Sequence, residues 1–228
     1  MDEPKTKLPR RLRRYTKLRH AMALLDEGKL TLTDPATWED RNDVFNLECF
    51  KAVVGFGSVR ICCLAANKDT FHHWKVFTGG RDGVGIIFDV GRLAESLTRA
   101  GVPLRPMRYR NIPQIQRLKR IRPEDLPYLK WERFADEQEH RAVWTGEEDL
   151  DPSEPIRIPI ELAAIESILI SPLISDQSAD AISDQLKVFV ASRLRLKHID
   201  ILRSRTSESE RWKRLVAQKL FSRRNVKD

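Results

Sequence analysis

The sequence predicts an α+β fold built as a single domain, because strand-like and helix-like segments are mixed without the steady alternation of a doubly wound sheet. Segments rich in alternating or continuous apolar residues, such as "KLTLTDP" at 29–35 and "VRICCLA" at 59–65, predict strands. Apolar residues at helical spacing, such as Leu18, Met22 and Leu25, predict helices. No Pro-, Gly- or Ser-rich stretch divides the 228 residues, which suffice for one sizeable core.

The first elements are predicted to be a strand, a helix and a second strand. A basic arm at 1–13 precedes a short strand around Arg14 to Thr16. The helix over 17–28 ends at Gly28, a residue that commonly follows the last helical turn. Pro35 ends the strand that comes next. Residues 37–50 are expected to begin as a loop that turns into further structure.

The remaining chain is predicted to alternate irregularly between strands and helices. The further strands are "VGIIFD" at 84–89, "RPMRYRN" at 105–111, "SILIS" at 167–171 and "HIDILRS" at 198–204, and the further helices lie at 91–97 and 178–192. Gly79-Gly80 and Asp82-Gly83 predict a turn before the first of these strands. A C-terminal basic helix within 206–228 begins with Ser207 and Glu210 in capping-box register. It is expected to bury one apolar side, formed by Trp212, Leu215, Val216 and Leu220.

Charge is distributed unevenly along the chain. The formal net charge is +8, yet residues 1–20 hold eight Lys or Arg against two acids and residues 186–228 hold thirteen against four. The middle of the chain is therefore acidic. This arrangement favours contact with RNA or DNA through the basic termini, with chemistry in the body. Two solvated charged segments would give the same pattern.

Cysteine content and hydropathy indicate the compartment. Cys49, Cys62 and Cys63 are too few for a disulfide framework and are expected to be small core residues. The basic N-terminus lacks the apolar centre of a secretory signal, and no apolar run approaches membrane-spanning length. We therefore expect a cytoplasmic protein without a membrane partner.

The stretch "FADEQEHRAVW" at 134–144 carries the strongest functional signal and admits two interpretations. In a helix, Glu137 and Arg141 would form a solvated pair four residues apart. In a strand, Glu137, Glu139 and Arg141 would share one face, where the guanidinium offsets the repulsion of the carboxylates. A helix that ends near Asp136 and a strand that follows satisfies both local propensities. A strand allows either an active site or a structural ion-pair network.

Four stretches carry a family resemblance. They are "RRYTKLRHAMALLDEGKLTLTDPATWEDRNDVFN", "FHHWKVFTGGRDGVGIIFD", "KWERFADEQEHRAVW" and "ESILISPL". Together they resemble a bacterial family described as domain of unknown function 2971, over residues 14–205. The resemblance implies a catalytic-type domain between the basic arm and the C-terminal helix.

A more remote resemblance is to the ADP-ribosyltransferase superfamily, since an aromatic opening strand, a helix ending in Gly and a late Glu-x-Glu occur in order. It implies two small mixed or antiparallel sheets around a cleft for NAD, with flanking helices. In this chain Glu139 would stabilise the oxocarbenium-like state formed when the nicotinamide bond of NAD breaks, and Glu137 would activate the acceptor, or the reverse. Arg14 would bind the nucleotide, with Tyr15 or Trp74 as a stacking surface.

Two other functions fit the residues. A non-catalytic nucleic-acid-binding or interaction protein would use the basic ends. A metal-dependent phosphodiesterase would use Asp40, Asp43 and the glutamates. The adjacent His72 and His73 invite a metal site, but neighbouring strand residues diverge and no further ligand follows at zinc spacing, so we expect none.

Overall fold

The computed structural model describes residues 8–67, 69–78, 83–193 and 198–221, and it confirms the predicted α+β class. The strands are β1 (Arg11–Lys17), β2 (Lys29–Leu32), β3 (Ser58–Ala65), β4 (Gly83–Asp89), β5 (Leu104–Pro106), β6 (Arg108–Arg110), β7 (Leu129–Trp131), β8 (Glu139–Gly146), β9 (Ile156–Pro159), β10 (Ile165–Ile170) and β11 (Asp200–Arg203). The α-helices are α1 (Leu18–Glu27), α2 (Arg41–Val54), α3 (Phe71–Phe77), α4 (Val90–Arg99), α5 (Ile112–Gln116), α6 (Asp176–Val188) and α7 (Glu210–Phe221). Short 3-10 helices lie at Pro35–Thr37, Pro123–Tyr128, Glu132–Glu137 and Leu162–Ala164, and a π-helical turn, Phe189–Arg193, follows α6.

Seven strands form a mixed sheet in the order β11-β10-β4-β1-β3-β8-β5. Strand β1 pairs with β4 along its whole length, and β3 pairs with β8 along its whole length. Between β1 and β3, however, only Arg13 and Ala65 are paired. Further along β3, Ile61 bonds to Thr33 instead, at 2.9 and 3.0 Å. In place of two predicted sheets around a cleft, the structure has one large sheet, whose two halves are joined between β1 and β3 by that single pair.

Two two-stranded ribbons flank the large sheet, β2 with β9 and β6 with β7. Ribbon β2–β9 is antiparallel and lies beside α1, whereas β6–β7 is parallel. The parallel ribbon brings the stretch after β5 next to the segment that leads into β8.

Capping residues explain where two of the helices lie. Gly28 ends α1 as predicted: its φ of 65° is left-handed, and its N–H donates to Leu24 O at 2.9 Å. The Asp40 side chain accepts from the N–H groups of Asn42 and Asp43, so α2 begins at Arg41 in a region predicted to begin as a loop. An Asp followed by polar residues is compatible with either a turn or an N-cap, and packing decided between them.

The sheet has two covered faces. On one face a large apolar core packs against α1, α4, α6 and the β2–β9 ribbon; it includes Leu12, Leu64, Ile86 and Ile168. Burial of Leu12 explains why β1 begins at Arg11, three residues earlier than predicted. The other face is covered in two parts. One cluster lies beneath α2, and a second, which contains Trp74, lies beneath α3.

The C-terminal helix corrects one prediction. Helix α7 begins at Glu210, and Ser209 rather than Ser207 accepts from the Trp212 N–H. Its apolar side is not buried against the described part of the chain, since Trp212 is 70% exposed and Leu220 is 65% exposed. An amphipathic pattern shows which side of a helix is apolar but not that the same chain covers it. The predicted turn at 79–82 and the first seven residues of the basic arm lie outside the described residues.

Candidate active site

The stretch at 134–144 is a 3-10 helix followed by a strand. The 3-10 helix Glu132–Glu137 ends at Gln138, whose φ of 43° is left-handed, and β8 then begins at Glu139. The helix-then-strand interpretation is therefore right, with the boundary shifted by one or two residues. Because of the turn at Gln138, Glu137 is not part of the strand, yet its side chain lies beside that of Glu139.

A buried network of charges joins the residues of this stretch to two other elements. Lys130 Nζ lies 2.6 Å from Glu137 Oε2 and 3.1 Å from Glu139 Oε2. Arg141 donates from Nε to Glu139 Oε1 at 2.7 Å and from Nη1 to Asp43 Oδ1 at 2.7 Å. All five side chains are buried, and Arg141 is fully so. Three carboxylates therefore share two cations inside the protein, and the network carries one net negative charge.

The two glutamates have opposite pKa shifts. Burial alone would raise the pKa of Glu139, but Arg141 and Lys130 outweigh burial and lower it to about 2. For Glu137 burial dominates over Lys130, and the neighbouring Glu139 adds to it, so the pKa of Glu137 is raised. Neighbouring carboxyls with separated pKa values can act in different roles, one as a fixed anion and one as a proton acceptor.

The strand register connects these glutamates to β1. Glu139 is paired with Ala65, and Ala65 is paired with Arg13, so the three residues lie side by side on one face of the sheet. The small side chain of Ala65, which is 6% exposed, separates Arg13 from Glu139, and we refer to the strip of sheet over Ala65 between them as the groove. This strip lies at the one pair that joins β1 to β3, between the clusters covered by α2 and α3.

Polar atoms without partners gather at the α3 side of this groove. In the described residues, five buried side-chain polar atoms lack a hydrogen-bond partner, and four of them belong to Arg13 (Nε), Tyr15 (OH), Asn67 (Oδ1) and His73 (Nε2). The ring centroids of Tyr15 and His73 are 5.2 Å apart and stacked, and Arg13 Nη1 donates to Asn67 O at 2.6 Å. Buried polar groups normally find partners, so four unpartnered atoms in one place indicate a binding site.

The link from these atoms to the glutamates runs through the chain after β3. Asn67 Nδ2 donates to Asp136 O at 2.7 Å, and Ala66 N donates to Gln138 O at 3.0 Å. Burial, and then the charge of His72, lowers the pKa of His73, so its ring is neutral at physiological pH. Thr70 hydrogen-bonds His73 Nδ1, and the His73 ring also lies against the backbone of Glu137, beside the two glutamates.

The three residues expected to bind the nucleotide lie in different surroundings. Tyr15 faces the groove. Arg14 points to the opposite face of β1, where it donates to Thr31 O at 2.9 Å and to Cys62 Sγ. Trp74 is fully buried, with its ring edge-on to Tyr15 at 5.1 Å, so it offers no free face for stacking. Strand alternation explains the separation: neighbouring residues on β1 cannot face the same ligand.

Three cavities lie away from the glutamates, including one of about 520 Å³ lined by Val44 and Leu47, among others. One of about 370 Å³ is lined by Arg14, His20 and Arg157, among others. Another of about 850 Å³ lies at the end of α2 and is lined by Phe56 and Tyr128, among others. None of the three is lined by Glu137 or Glu139, whereas the unpartnered polar atoms lie beside these glutamates, so the groove over Ala65 is the stronger candidate site.

The residues considered for metal chemistry have other partners. Asp40 caps α2, and Asp43 pairs with Arg141. His72 and His73 lie on α3 rather than on a strand. Within the residues that the structure describes, no group of three or more His, Cys, Asp and Glu side chains is placed to hold a metal ion. The same residues contain no helix with the length and apolar character needed to cross a bilayer.

Several site residues were not predicted. Arg13 was assigned to the basic arm, because β1 was predicted to start at Arg14; alternation with Tyr15 would have found it. Lys130 lies in one of the stretches that carry the family resemblance, but it was given no role. A lysine seven residues before Glu137 could have been predicted as the counter-ion of that carboxylate. Asn67 carries no signal in the sequence.

Comparisons with known proteins give a structural likeness only. No protein-family model and no curated protein matches the chain, so membership of family 2971 stays a prediction. Similar solved structures include Thermus sp. 2.9 DarT in complex with carba-NAD+, at 12% identity and a TM-score of 0.42, covering 91% of this chain and 100% of that chain. The same DarT in complex with ADP-ribosylated ssDNA has 14% identity and a TM-score of 0.42, covering 88% and 97%. Its complex with NAD+ has 12% identity and a TM-score of 0.41, covering 91% and 100%.

Proposed function

We propose that this protein is an ADP-ribosyltransferase-like enzyme that uses NAD to modify a macromolecule, as a toxin or defence component. The observation that carries the proposal is the row Arg13–Ala65–Glu139. It places a fixed anion, a second carboxyl with a raised pKa and a set of unpartnered polar atoms around one groove. A structural ion-pair network explains the buried charges but not the unpartnered atoms beside them.

The chemistry of the unpartnered atoms fits NAD. Arg13 Nε–H is a cationic donor suited to a phosphate oxygen. The Tyr15 hydroxyl and His73 Nε2 can bond to hydroxyl or amide groups, and Asn67 Oδ1 accepts a hydrogen bond. Together they supply both donors and acceptors, as a ligand with phosphates, ribose hydroxyls and a carboxamide requires. We therefore assign Arg13, Tyr15 and His73 as the binding residues, whereas Arg14 lies on the opposite face of β1 and Trp74 packs against the Tyr15 ring.

The two glutamates would divide the chemistry between them. NAD supplies an ADP-ribosyl group when bound: its bond to nicotinamide breaks, and nicotinamide leaves with the electron pair. Glu139, held as an anion by Lys130 and Arg141, would stabilise the positive charge that develops on the ribose. Glu137 would take the proton that the acceptor loses as its oxygen or nitrogen bonds to the ribose carbon, because its raised pKa makes it the better base.

The test is nicotinamide release from NAD by the full-length protein. Glu139→Gln should lower the rate by about 10²–10³-fold, as expected when one electrostatic group is removed from a site. Glu161→Gln, the same substitution at an exposed glutamate paired with Arg99, should leave the rate unchanged. If Glu139→Gln fails to fold, Glu137→Gln tests the other carboxyl of the pair in the same assay.

NAD binding can be measured independently of turnover. A ligand that binds only the native state stabilises it by about 2.7 kcal/mol when present at 100 times its Kd, and raises the melting temperature accordingly. We expect this shift in the wild type and a smaller one in Arg13→Ala. Absence of both nicotinamide release and a melting shift with NAD would contradict the proposal.

A further inference from the structure

Helix α7 has an apolar side that the described part of the chain leaves uncovered. Trp212, Leu215, Val216 and Leu220 are spaced three, four and eight residues from the first, so they lie on one side of the helix. Their exposed fractions are 70%, 45%, 47% and 65%. Apolar residues at this spacing are the anchors with which a helix binds in an apolar groove of another surface.

The cavity of about 850 Å³ at the end of α2 is an apolar surface of this kind, and we refer to it as the α2 cavity. The last two residues of α2, Val53 and Val54, line it and are 66% and 43% exposed. Most of its other lining residues are also apolar, among them Phe50, Phe56, Pro103, Pro127, Tyr128 and Trp144. Exposed valines at the mouth of an apolar cavity favour contact with an apolar partner.

An acidic turn borders the α2 cavity. Residues 147–151, "EEDLD", contain four acids. The turn is fixed two residues after Phe56, because Ser58 Oγ donates to Glu148 O and accepts from Leu150 N, both at 2.7 Å. The side chains of Glu147 and Glu148 are exposed, and within the described residues they have no ion pair. A partner of the α2 cavity should therefore be basic as well as apolar.

Helix α7 has the charge that this turn requires. Arg211 and Arg214 are exposed on its polar side and form no ion pair with any described residue. Lys213, by contrast, lies 2.8 Å from Glu210 and also pairs with Glu208. The same chain thus carries a basic helix with an uncovered apolar side and an apolar cavity with an acidic border.

The two surfaces lie far apart in one copy. The chain before α7 is held beside β10, where Ser207 Oγ donates to Pro172 O at 3.2 Å. Strand β5, which lines the α2 cavity through Arg105, is separated from β10 by β4, β1, β3 and β8. This separation is about 24 Å at a spacing of roughly 4.8 Å per strand, whereas the apolar side of α7 is only about 12 Å long at roughly 1.5 Å per residue. A second copy supplies the helix without any change in the fold.

We propose that α7 of one copy docks in the α2 cavity of a second copy, and that two-fold symmetry makes this contact twice in a dimer. One contact alone would leave a helix and a cavity open, whereas the reciprocal exchange covers both. Trp212 is the expected anchor, because buried tryptophans contribute strongly to interfaces. A lipid surface also suits a basic amphipathic helix, but it would not use the α2 cavity or the acidic turn.

The test is the mass of the full-length protein in solution, measured by sedimentation equilibrium up to about 100 μM, above the dissociation constants of most specific interfaces. The wild type should reach twice the 26.5 kDa of one chain. Trp212→Asp and Val53→Asp should each raise the dissociation constant of the dimer by at least about thirty-fold. Both residues are exposed, so neither substitution should unfold the protein. The matched control is Val188→Asp, at a valine of α6 that is 64% exposed, and it should dimerise like the wild type.

A mixture of the two variants tests which surfaces meet. The helix of Val53→Asp and the cavity of Trp212→Asp are both intact, so one of the two contacts remains possible in a mixed dimer. This dimer should form at concentrations at which neither variant dimerises alone, and it should be weaker than the wild-type dimer.

Four results would overturn the inference. One is a wild type that stays monomeric at every concentration. A monomer that floats with phosphatidylserine vesicles would assign α7 to a lipid surface. A monomer whose melting temperature falls in both variants, but not in Val188→Asp, would assign the helix to the cavity of its own chain. A dimer that survives Val53→Asp but not Trp212→Asp would show that α7 packs against another α7. None of these measurements involves NAD, so the proposed function is tested separately by nicotinamide release.

Discussion

Two polar regions lie side by side on one face of the large sheet and differ in how their side chains are satisfied. Beneath α2, the side chains of Asp43, Lys130, Glu139 and Arg141 pair with one another at short distances. Beneath α3, atoms of Tyr15 and its neighbours Arg13, Asn67 and His73 are buried without partners. The regions meet at Ala65, so one strand of the sheet borders both.

This difference distinguishes residues that stabilise the fold from residues whose polar atoms are available to bind a ligand. Removing one partner from a satisfied buried ion network is costly, because the remaining charge cannot return to water. Removing an atom that has no partner costs little or even stabilises, because its desolvation is already unfavourable. Substitutions on the α2 side of Ala65 should therefore lower stability. Substitutions on the α3 side should weaken ligand binding and change stability little.

The largest expected effect is on the satisfied side. Arg141→Met should destabilise the protein by about 3–5 kcal/mol, because Asp43 and Glu139 lose the cation that joins them in the interior. Urea unfolding measures this change. Arg99→Met, at an exposed pair with Glu161, is the control and should change stability little. A loss of less than about 1 kcal/mol for Arg141→Met would mean that water reaches the network and that the two regions do not differ as described.

The fold was predictable where local signals and burial agree. Gly28 ends α1 because the left-handed conformation suits glycine, and the apolar run at 84–89 is β4 because it lies in the middle of a sheet covered on both faces. The start of α2 was missed, because its N-cap Asp40 lies in a polar cluster that also suits a turn. Helix α7 was predicted with a buried side, because periodicity reports amphipathicity and not the presence of a covering partner.

The site was predictable only within one segment. A Glu-x-Glu-x-Arg spacing predicted that Glu137, Glu139 and Arg141 lie together, and the ion pairs through Lys130 join their side chains, while their catalytic role stays a prediction. Asp43 was proposed as a metal ligand, but it is the counter-ion of an arginine 98 residues later. Pairs so distant depend on which strands become neighbours, and a single sequence does not specify that. Whether a buried polar atom has a hydrogen-bond partner depends on tertiary packing, so the sequence did not predict the unpartnered atoms.

Lowering the pH is expected to reduce stability by an intermediate amount. Glu139 has a pKa of about 2 in the fold against an ordinary value of 4.5, so it contributes stability above pH 4.5 that is lost as the pH falls towards 2. The loss is on the order of 3 kcal/mol. The effect of Glu137 on stability has the opposite sign, because its pKa is raised. Ionised Glu137 destabilises the fold at neutral pH, and this destabilisation disappears as the group is protonated at lower pH.

Urea unfolding of the wild type and of Glu139→Gln between about pH 5 and about pH 2 separates these contributions. At the upper end of this range the wild type should have a larger free energy of unfolding than Glu139→Gln. This difference should disappear as the pH falls to the lower end. A constant difference between the two proteins would show that Glu139 keeps its ordinary pKa and is not the fixed anion of the network. Glu137→Gln, measured in parallel, keeps Glu139 and should lose stability across this window at least as much as the wild type does.

The smallest effect on stability is expected on the unsatisfied side, and its sign distinguishes the two regions. The Tyr15 hydroxyl is buried without a partner, and its pKa is raised by burial and then by Asp69. Tyr15→Phe removes that hydroxyl and keeps the ring stacked against His73, so the free energy of unfolding should stay the same or rise by about 1 kcal/mol. The melting shift produced by NAD should nevertheless shrink in this variant. Loss of stability with an unchanged NAD shift would mean that the hydroxyl bonds within the protein, and the groove beside Ala65 would then lose one of its ligand-facing groups.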